Sequence, residues 1–338
     1  MRKLTRRTFV SSAAAVSSCL LLRPYGAAAA RTLTLRYANN LPPAHPLNVR
    51  AAEAAARIAT ETNGEVGVSL FPDNRFGGDS EMLELVRVGG IDIFTPSGLV
   101  LSAMIPAAQI NAVGFAFSDY AQIWNAMDGD LGAFIRRAVE QGGLHMLRMA
   151  WDNGFRQCTA SSRPVAGPDD FAGLRIRVPV SRLPISLFSA LGAAPSGLQY
   201  SELYDALKTG VFEAQENPLS IILSARLFEV QKYVSLTNHV WDGFFIVVNG
   251  GTWRRLPADI RTIVARAFDD AALLQRADIA VANASARAVL ESKGMIFNST
   301  DPVPFRQALK KAGFYAEWRA KFGSEAWAVL ERHTGHLS

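Results

Sequence analysis

The sequence predicts an α/β fold in two lobes, with a cleft between them and one long helix lying across both. Three observations carry this expectation. The 338 residues exceed one small core and suit two units of about 120–180 residues each. Strand-like and helix-like segments alternate along the chain, and the alternation begins afresh after Gly154. Residues 258–293 contain neither Pro nor Gly, and a continuous helix there would be about 54 Å long at ~1.5 Å per residue, more than one lobe's width.

In chain order, Arg31 to Tyr37 alternates, with Leu33, Leu35 and Tyr37 on one face, and reads as an opening strand that Asn39-Asn40-Leu41-Pro42-Pro43 ends. Leu47 to Thr62 has helical spacing through Ala51, Ala55 and Ile58, and Val66 to Phe71 is a strand after the Asn63-Gly64 turn. A helix from Asp79 to Val88 leads to a strand at Ile91–Phe94. Helices near Tyr120–Met127 and Leu131–Gln141 then lead to a strand at Met146–Trp151. This order predicts a mainly parallel sheet with ligand loops at the strand carboxyl ends. In the second half, Leu174–Val178 is a strand with Arg175 and Arg177 on one face, Pro184–Leu191 and Glu202–Lys208 are helices, and Val211–Ala214 is a short strand. The lobes are expected to comprise 31–153 with about 243–282, and 154–242 with about 283–338, crossing near Gly154 and Trp241.

Residues 1–30 read as an address. A basic start, an apolar stretch from Phe9 to Leu22 and a run of small residues at Ala27–Ala30 are the three regions of a cleaved secretory signal, and Thr5-Arg6-Arg7-Thr8-Phe9-Val10 adds a twin-arginine pattern. The apolar stretch spans only about 21 Å as a helix, short of a ~30 Å hydrocarbon core. The mature protein is therefore expected in the periplasm, and as a monomer.

The formal charge of +5 shrinks to zero without this segment, because its five basic residues leave 30 basic against 30 acidic. A neutral folded part gives no support to a nucleic-acid partner. Cys158 is the one cysteine beyond residue 30, so no intramolecular disulfide is available. The five histidines form no HExxH pair and have no cysteine at ligand spacing, and the chain has no GxGxxG after a strand, no GxxxxGK[ST] and no GxSxG. Neither a metal nor a cofactor is expected, and an enzyme is the weaker alternative to a binding protein.

Four spaced runs remain: Trp151-Asp152-Asn153-Gly154-Phe155-Arg156-Gln157, Gly173-Leu174-Arg175-Ile176-Arg177-Val178-Pro179, Tyr200-Ser201-Glu202-Leu203-Tyr204 and Gly210-Val211-Phe212-Glu213-Ala214-Gln215-Glu216-Asn217-Pro218. In this order they closely resemble the DctP-type substrate-binding proteins of tripartite ATP-independent periplasmic (TRAP) transporters. The resemblance continues through Glu229–Tyr233 and Leu236–His239. It implies a periplasmic binding-protein fold whose lobes close over an organic acid, and delivery of that acid to a TRAP membrane permease. It also implies that Arg177 grips the ligand carboxylate, with Arg156 as a second arginine, Asn217 as an amide contact and Tyr200 packed on the carbon face. A guanidinium fork matches a planar carboxylate, which gives the first role a physical basis. Asn40 and Asp79 resemble polar contacts from the first lobe. Ser97 stands where the sialic-acid branch has glutamate, which argues against that ligand. Trp151, Phe155, Trp241, Phe244 and Phe245 place rings near the crossings, and with Trp151, Trp241 and Phe244 as walls they favour an aromatic or 2-oxo monocarboxylate over a C4-dicarboxylate or sugar acid.

Overall fold

The computed structural model describes residues 33–337; the expected signal segment lies outside them. Two sheets organise the chain. The first has the order β2-β1-β3-β10-β4, built from β1 (Leu33–Ala38), β2 (Val66–Phe71), β3 (Ile93–Phe94), β4 (Leu144–Met146) and β10 (Val247–Asn249). The second has the order β11-β9-β5-β8-β6-β7, built from β5 (Phe155–Ala160), β6 (Arg175–Val178), β7 (Ala194–Gly197), β8 (Ala214–Asn217), β9 (Tyr233–Trp241) and β11 (Ile296–Ser299). The helices are α1 (Pro46–Glu61), α2 (Asp79–Val88), α3 (Gly98–Leu101), α4 (Tyr120–Met127), α5 (Asp130–Gln141), α6 (Arg182–Ala190), α7 (Leu203–Lys208), α8 (Leu219–Ser224), α9 (Gly250–Arg255), α10 (Ala258–Ser292), α11 (Pro302–Lys311), α12 (Phe314–Phe322) and α13 (Ser324–Thr334). None of the described helices is long and apolar enough to cross a membrane.

The sheets are less parallel than the sequence predicts. Parallel pairing holds for β1 with β2 and β3, but β10 runs antiparallel to β3 and β4, and β5 runs antiparallel to β8 and β9. The cause is the double crossing. Each time the chain leaves one sheet for the other it enters beside strands that were laid down in the opposite sense.

Other boundaries move too. The strand expected at Met146–Trp151 is only Leu144–Met146, because the chain then leaves the sheet. The strand expected at Val211–Ala214 instead begins at Ala214 and runs to Asn217. Gly210 takes a left-handed φ of 75° and Val211 is exposed, whereas Gln215 and Glu216 are buried. Residues 283–338 do not all pack with the second sheet: α11 and α12 lie against α6, but α13 packs on α4 and α5. Leu330 and Trp327 are buried on α13, and that apolar face follows the nearest uncovered helices rather than the sheet.

The long helix forms over Ala258–Ser292 as the unbroken composition predicts. It packs on α1 on one side and on α8 on the other. Small residues permit the first contact, since α1 buries Ala51, Ala54 and Ala55 with Leu47 and Ile58 at helical spacing. Arg276 fixes α10 to the first lobe by a two-pronged pair with Asp128, at 2.8 and 2.7 Å, while its guanidinium lies 3.8 Å from the centre of the Trp124 ring.

Gln275 ties α10 to the first crossing by exchanging two bonds with the Asp152 backbone, at 2.8 and 2.7 Å. Gly154 follows with φ 110°, and a Cβ there would meet Asn283 of α10 at 2.8 Å and Pro218 at 3.2 Å. Only glycine fits this passage.

Candidate functional site

The sheets face one another across a narrow cavity of about 40 Å³. Its walls include Asn40, Leu41, Asp79, Ser97, Val100 and Phe244 from the first lobe and the return crossing, and Asn153, Arg156, Arg177, Pro179, Tyr200, Asn217 and Ile221 from the other side. Seven sequence-predicted residues therefore meet here: Arg177, Arg156, Asn217, Tyr200, Asn40, Asp79 and Phe244. Trp151 and Trp241 do not. Trp151 packs in the first lobe's core with Phe244, and Trp241 turns its Nε1–H to Asp152 Oδ1 at 2.8 Å and its ring edge to Trp124. Phe245 is fully buried, and Phe155 packs edge-on to Tyr120. Proximity to a crossing did not set the direction of these rings, because both crossings run through apolar packing before they reach the cavity.

The two arginines have different surroundings. Arg156, 3% exposed, gives Nε and Nη2 to the two oxygens of Glu216, with Nη2 at 2.8 Å from Oε1 and 2.6 Å from the Glu216 carbonyl. Nη2 also reaches Asn217 Oδ1 at 3.3 Å, and Nη1 lies 3.6 Å from Asp242. The antiparallel register of β5 and β8 sets Cys158 opposite Glu216, so Arg156, two residues from Cys158, shares the face of Glu216. His239 Nε2–H donates to Glu216 at 3.0 Å, a tautomer that the acceptor-only carboxylate requires, while Nδ1 faces the Thr237 hydroxyl at 2.8 Å. Burial alone would raise the Glu216 pKa, but Arg156 and His239 hold it down at about 2.

Arg177 is 2% exposed and has no such partner. Its Nε, at 2.9 Å, and its Nη2 both donate to the Leu198 carbonyl. Among the described residues no carboxylate pairs with it. Burial, and then the neighbouring Arg156 charge, pull its pKa down to about 10. A buried cation with one neutral acceptor is costly.

Asp79, at the first turn of α2, accepts a hydrogen bond from Asn40 Nδ2 at 2.8 Å. Burial pushes its pKa up to about 6, against the Asn40 bond and the Arg177 charge. The lobes approach closely beside it, since a Cβ on Gly78 would meet the Gln199 side chain at 3.2 Å. Asn40 Oδ1, Asn153 Oδ1 and Gln199 Oε1 are buried without a hydrogen-bond partner. These are further polar atoms at or beside the cavity whose bonds are not met from within the protein.

A larger groove of about 580 Å³ lies between Ser102–Gln109, α6 and α12, with Trp318 and Phe322 on its wall. It contains no buried unpaired charge, so the chemistry points to the smaller cavity. No cluster of metal-ligating side chains occurs among the described residues.

The sequence profile of the bacterial extracellular solute-binding protein family 7, DctP, matches residues 37–318. The chain belongs to this family. It is a periplasmic, carboxylate-binding TRAP solute-binding protein, not an enzyme. It is similar to the solute-binding protein RD1_1052 of Roseobacter denitrificans, at 30% identity over 90% of this chain and 93% of that one. The y4mM protein of Sinorhizobium fredii is 35% identical over 81% of this chain, which spans half of that relative's length. Solved TRAP relatives share the fold. The one from Polaromonas sp. JS666, bound to D-erythronate, has a TM-score of 0.85 at 29% identity, covering 88% of this chain and 98% of that one. The one from Sulfurospirillum deleyianum, with succinate, has a TM-score of 0.83 at 26% identity, covering 90% and 98%.

Sequence alone did not mark Asn153 and Ile221 in the wall, nor Glu216, His239 and Asp242 behind it, whereas Ser97, singled out as the position of the sialic-acid branch's glutamate, does line the cavity. One signal was available: an acid inside Ala214-Gln215-Glu216-Asn217, a run short enough to be buried throughout, demands a buried cation.

Proposed function

We propose that the protein captures a short, hydroxylated monocarboxylate of the aldonate kind and hands it to a TRAP membrane permease. The observation that carries this reading is Arg177, the cavity's one guanidinium without a carboxylate. A ligand carboxylate would supply the missing partner through charge-assisted bonds in a poorly hydrated space. Arg156 is already neutralised by Glu216, with Asp242 nearby, so a second ligand carboxylate would find no free cation. This disfavours a dicarboxylate. The remaining polar wall, Asp79, Asn40, Asn153 and Asn217, offers acceptors and donors suited to hydroxyl groups, while Tyr200 and Phe244 can cover a carbon chain.

With Trp151 and Trp241 in the core, the ring-lined wall expected for an aromatic acid shrinks to Phe244 and Tyr200, and the sugar-acid alternative gains. The D-erythronate complex of the Polaromonas relative supports the same class. A thermal-shift panel of four- to six-carbon aldonates, C4-dicarboxylates, aromatic acids and 2-oxo acids tests it. A ligand at 100 times its Kd adds about 2.7 kcal/mol of stability. Aldonates are expected to raise the melting temperature; shifts confined to dicarboxylates or aromatic acids would reject the class.

A further inference from the structure

Asp242 directly follows the second sheet's longest strand, β9, where the chain turns back toward β10. It is fully buried, and neither carboxylate oxygen has a hydrogen-bond partner. The groups facing it come from three elements: Arg156 Nη1 at 3.6 Å from β5, the Glu216 carboxylate from β8, and the Ser97 hydroxyl and Leu99 amide at the start of α3. Two of these, Arg156 and Ser97, also line the ligand cavity, whereas Asp242 does not. It therefore lies one side chain behind the wall. Its backbone has little freedom to move away, since the Gly243 carbonyl accepts the Gly98 N–H at 3.2 Å and a Cβ on Gly243 would strike the Trp241 ring at 2.4 Å.

The charges around the cavity make this placement consequential. With every acid ionised, Arg156 and Arg177 face Glu216, Asp242 and Asp79, and a ligand carboxylate would add a fourth negative group to two positive ones. Protonation of one acid removes the excess. Glu216 is held ionised by its two-pronged bond to Arg156 and by His239. Asp79 is supported by Asn40 and faces Arg177. Asp242 is held more weakly, by Arg156 Nη1 at 3.6 Å and by the Ser97 hydroxyl and Leu99 amide that face it.

We propose that Asp242 is a proton-linked positioning residue: it steadies Arg156 from behind the cavity and takes up one proton from solvent as the ligand carboxylate arrives. Burial already pushes its pKa up to about 6, against the Arg156 charge and the Ser97 hydroxyl, so the added negative charge acts on a group close to changing state. The inference rests on the monocarboxylate reading of the cavity.

Titration calorimetry with D-erythronate from about pH 5.5 to 8, in buffers of different ionisation heat, tests it. Wild-type binding is expected to tighten as pH falls, by up to about tenfold per pH unit for one linked proton, with net proton uptake. Asp242→Asn, neutral and of the same shape, is expected to bind at pH 8 at least as tightly as wild type and to lose the slope. Asp79→Asn is expected to bind more weakly and to keep it. Wild-type affinity independent of pH, or a wild-type slope surviving in Asp242→Asn, would overturn the proposal.

If D-erythronate does not bind, an aldonate found by the panel replaces it; if no aldonate binds, the ligand class fails, and melting of the free protein decides Asp242. Wild type is expected to gain stability relative to Asp242→Asn as pH falls toward 5; the same difference at every pH overturns the role. Should Asp242→Asn not fold, Ser97→Ala replaces it. Loss of that hydroxyl is expected to move the midpoint of the pH-dependence, in binding or in melting, upward, and an unmoved midpoint counts against the proposal.

Discussion

Arg156 and Arg177 are neighbours on one cavity wall, equally buried and of one chemical type, yet they belong to different kinds of structure. The Arg156 region is saturated: Glu216 takes its fork, His239 and Asn217 complete the set, and every member sits on a central strand of the second sheet. The Arg177 region is unfinished, with one carbonyl for a whole guanidinium. The first arrangement holds strands together, and the second leaves a charge whose natural complement must come from outside. Sharing a pocket does not make two arginines share a function.

The largest effect expected from breaking this contrast is on stability. Glu216→Leu leaves Arg156 buried without its main counter-charge and should cost about 3–5 kcal/mol, read from urea denaturation. Arg177→Met should fall within about 1 kcal/mol of wild type, since only the bonds to Leu198 are lost. A stability loss at Arg177 equal to that at Glu216 would erase the distinction.

Binding should show the reverse. Arg177→Lys keeps the charge but loses the planar fork, and calorimetry with an aldonate identified by the panel should show a loss of roughly 2–4 kcal/mol. Near-wild-type affinity would remove Arg177 from the site.

The pH-dependence of stability sharpens the contrast further. Glu216 has its pKa lowered from 4.5 to about 2, so its contribution is full above 4.5 and is lost as pH falls toward 2. Asp79, Asp152 and Asp242 are raised from 3.8 to about 6. The folded state therefore binds more protons than the unfolded chain between those values, and stability rises as pH falls through 6. His45, lowered by burial from 6.5 to about 4, works the other way over nearly the same range, so the three aspartates prevail by number and place the maximum near pH 4–5, about two to three units below neutrality. A melting curve that peaks at pH 7 or above would contradict the assigned environments. The smallest effect belongs to Trp241→Phe, which loses the bond to Asp152 and should cost about 1 kcal/mol while leaving ligand affinity unchanged.

The sequence was most legible where local signals and environment agree. Unbroken composition over 258–293 read out α10 nearly to the residue, and the motif around Gly173–Pro179 put Arg177 on a strand facing the cavity. It was least legible where direction depends on partners far along the chain. Trp151 and Trp241 lie beside the crossings as expected, but which way each ring points follows from Phe244 and from Asp152 with Trp124. The bond between Arg156 and Glu216 joins residues 60 apart, and only strand pairing brings them to one face. The expectation of Arg156 as a ligand contact came from the family resemblance, and neither its strand nor its neighbour across the sheet, Glu216, was visible in the sequence.

The attachments of α10 give the helix a mechanical character. Arg276 is fastened to the first lobe, and Asn283 accepts the Ser220 N–H at 3.0 Å beside the second. Between these anchors lie seven residue steps, about 10 Å of helix axis. Any rotation of one lobe against the other must be absorbed as curvature or torsion over those two turns, so the helix acts as a short stiff spring whose restoring force grows with the opening angle. The amplitude and the rate of cleft opening would then be set by a stretch of backbone that never meets the ligand.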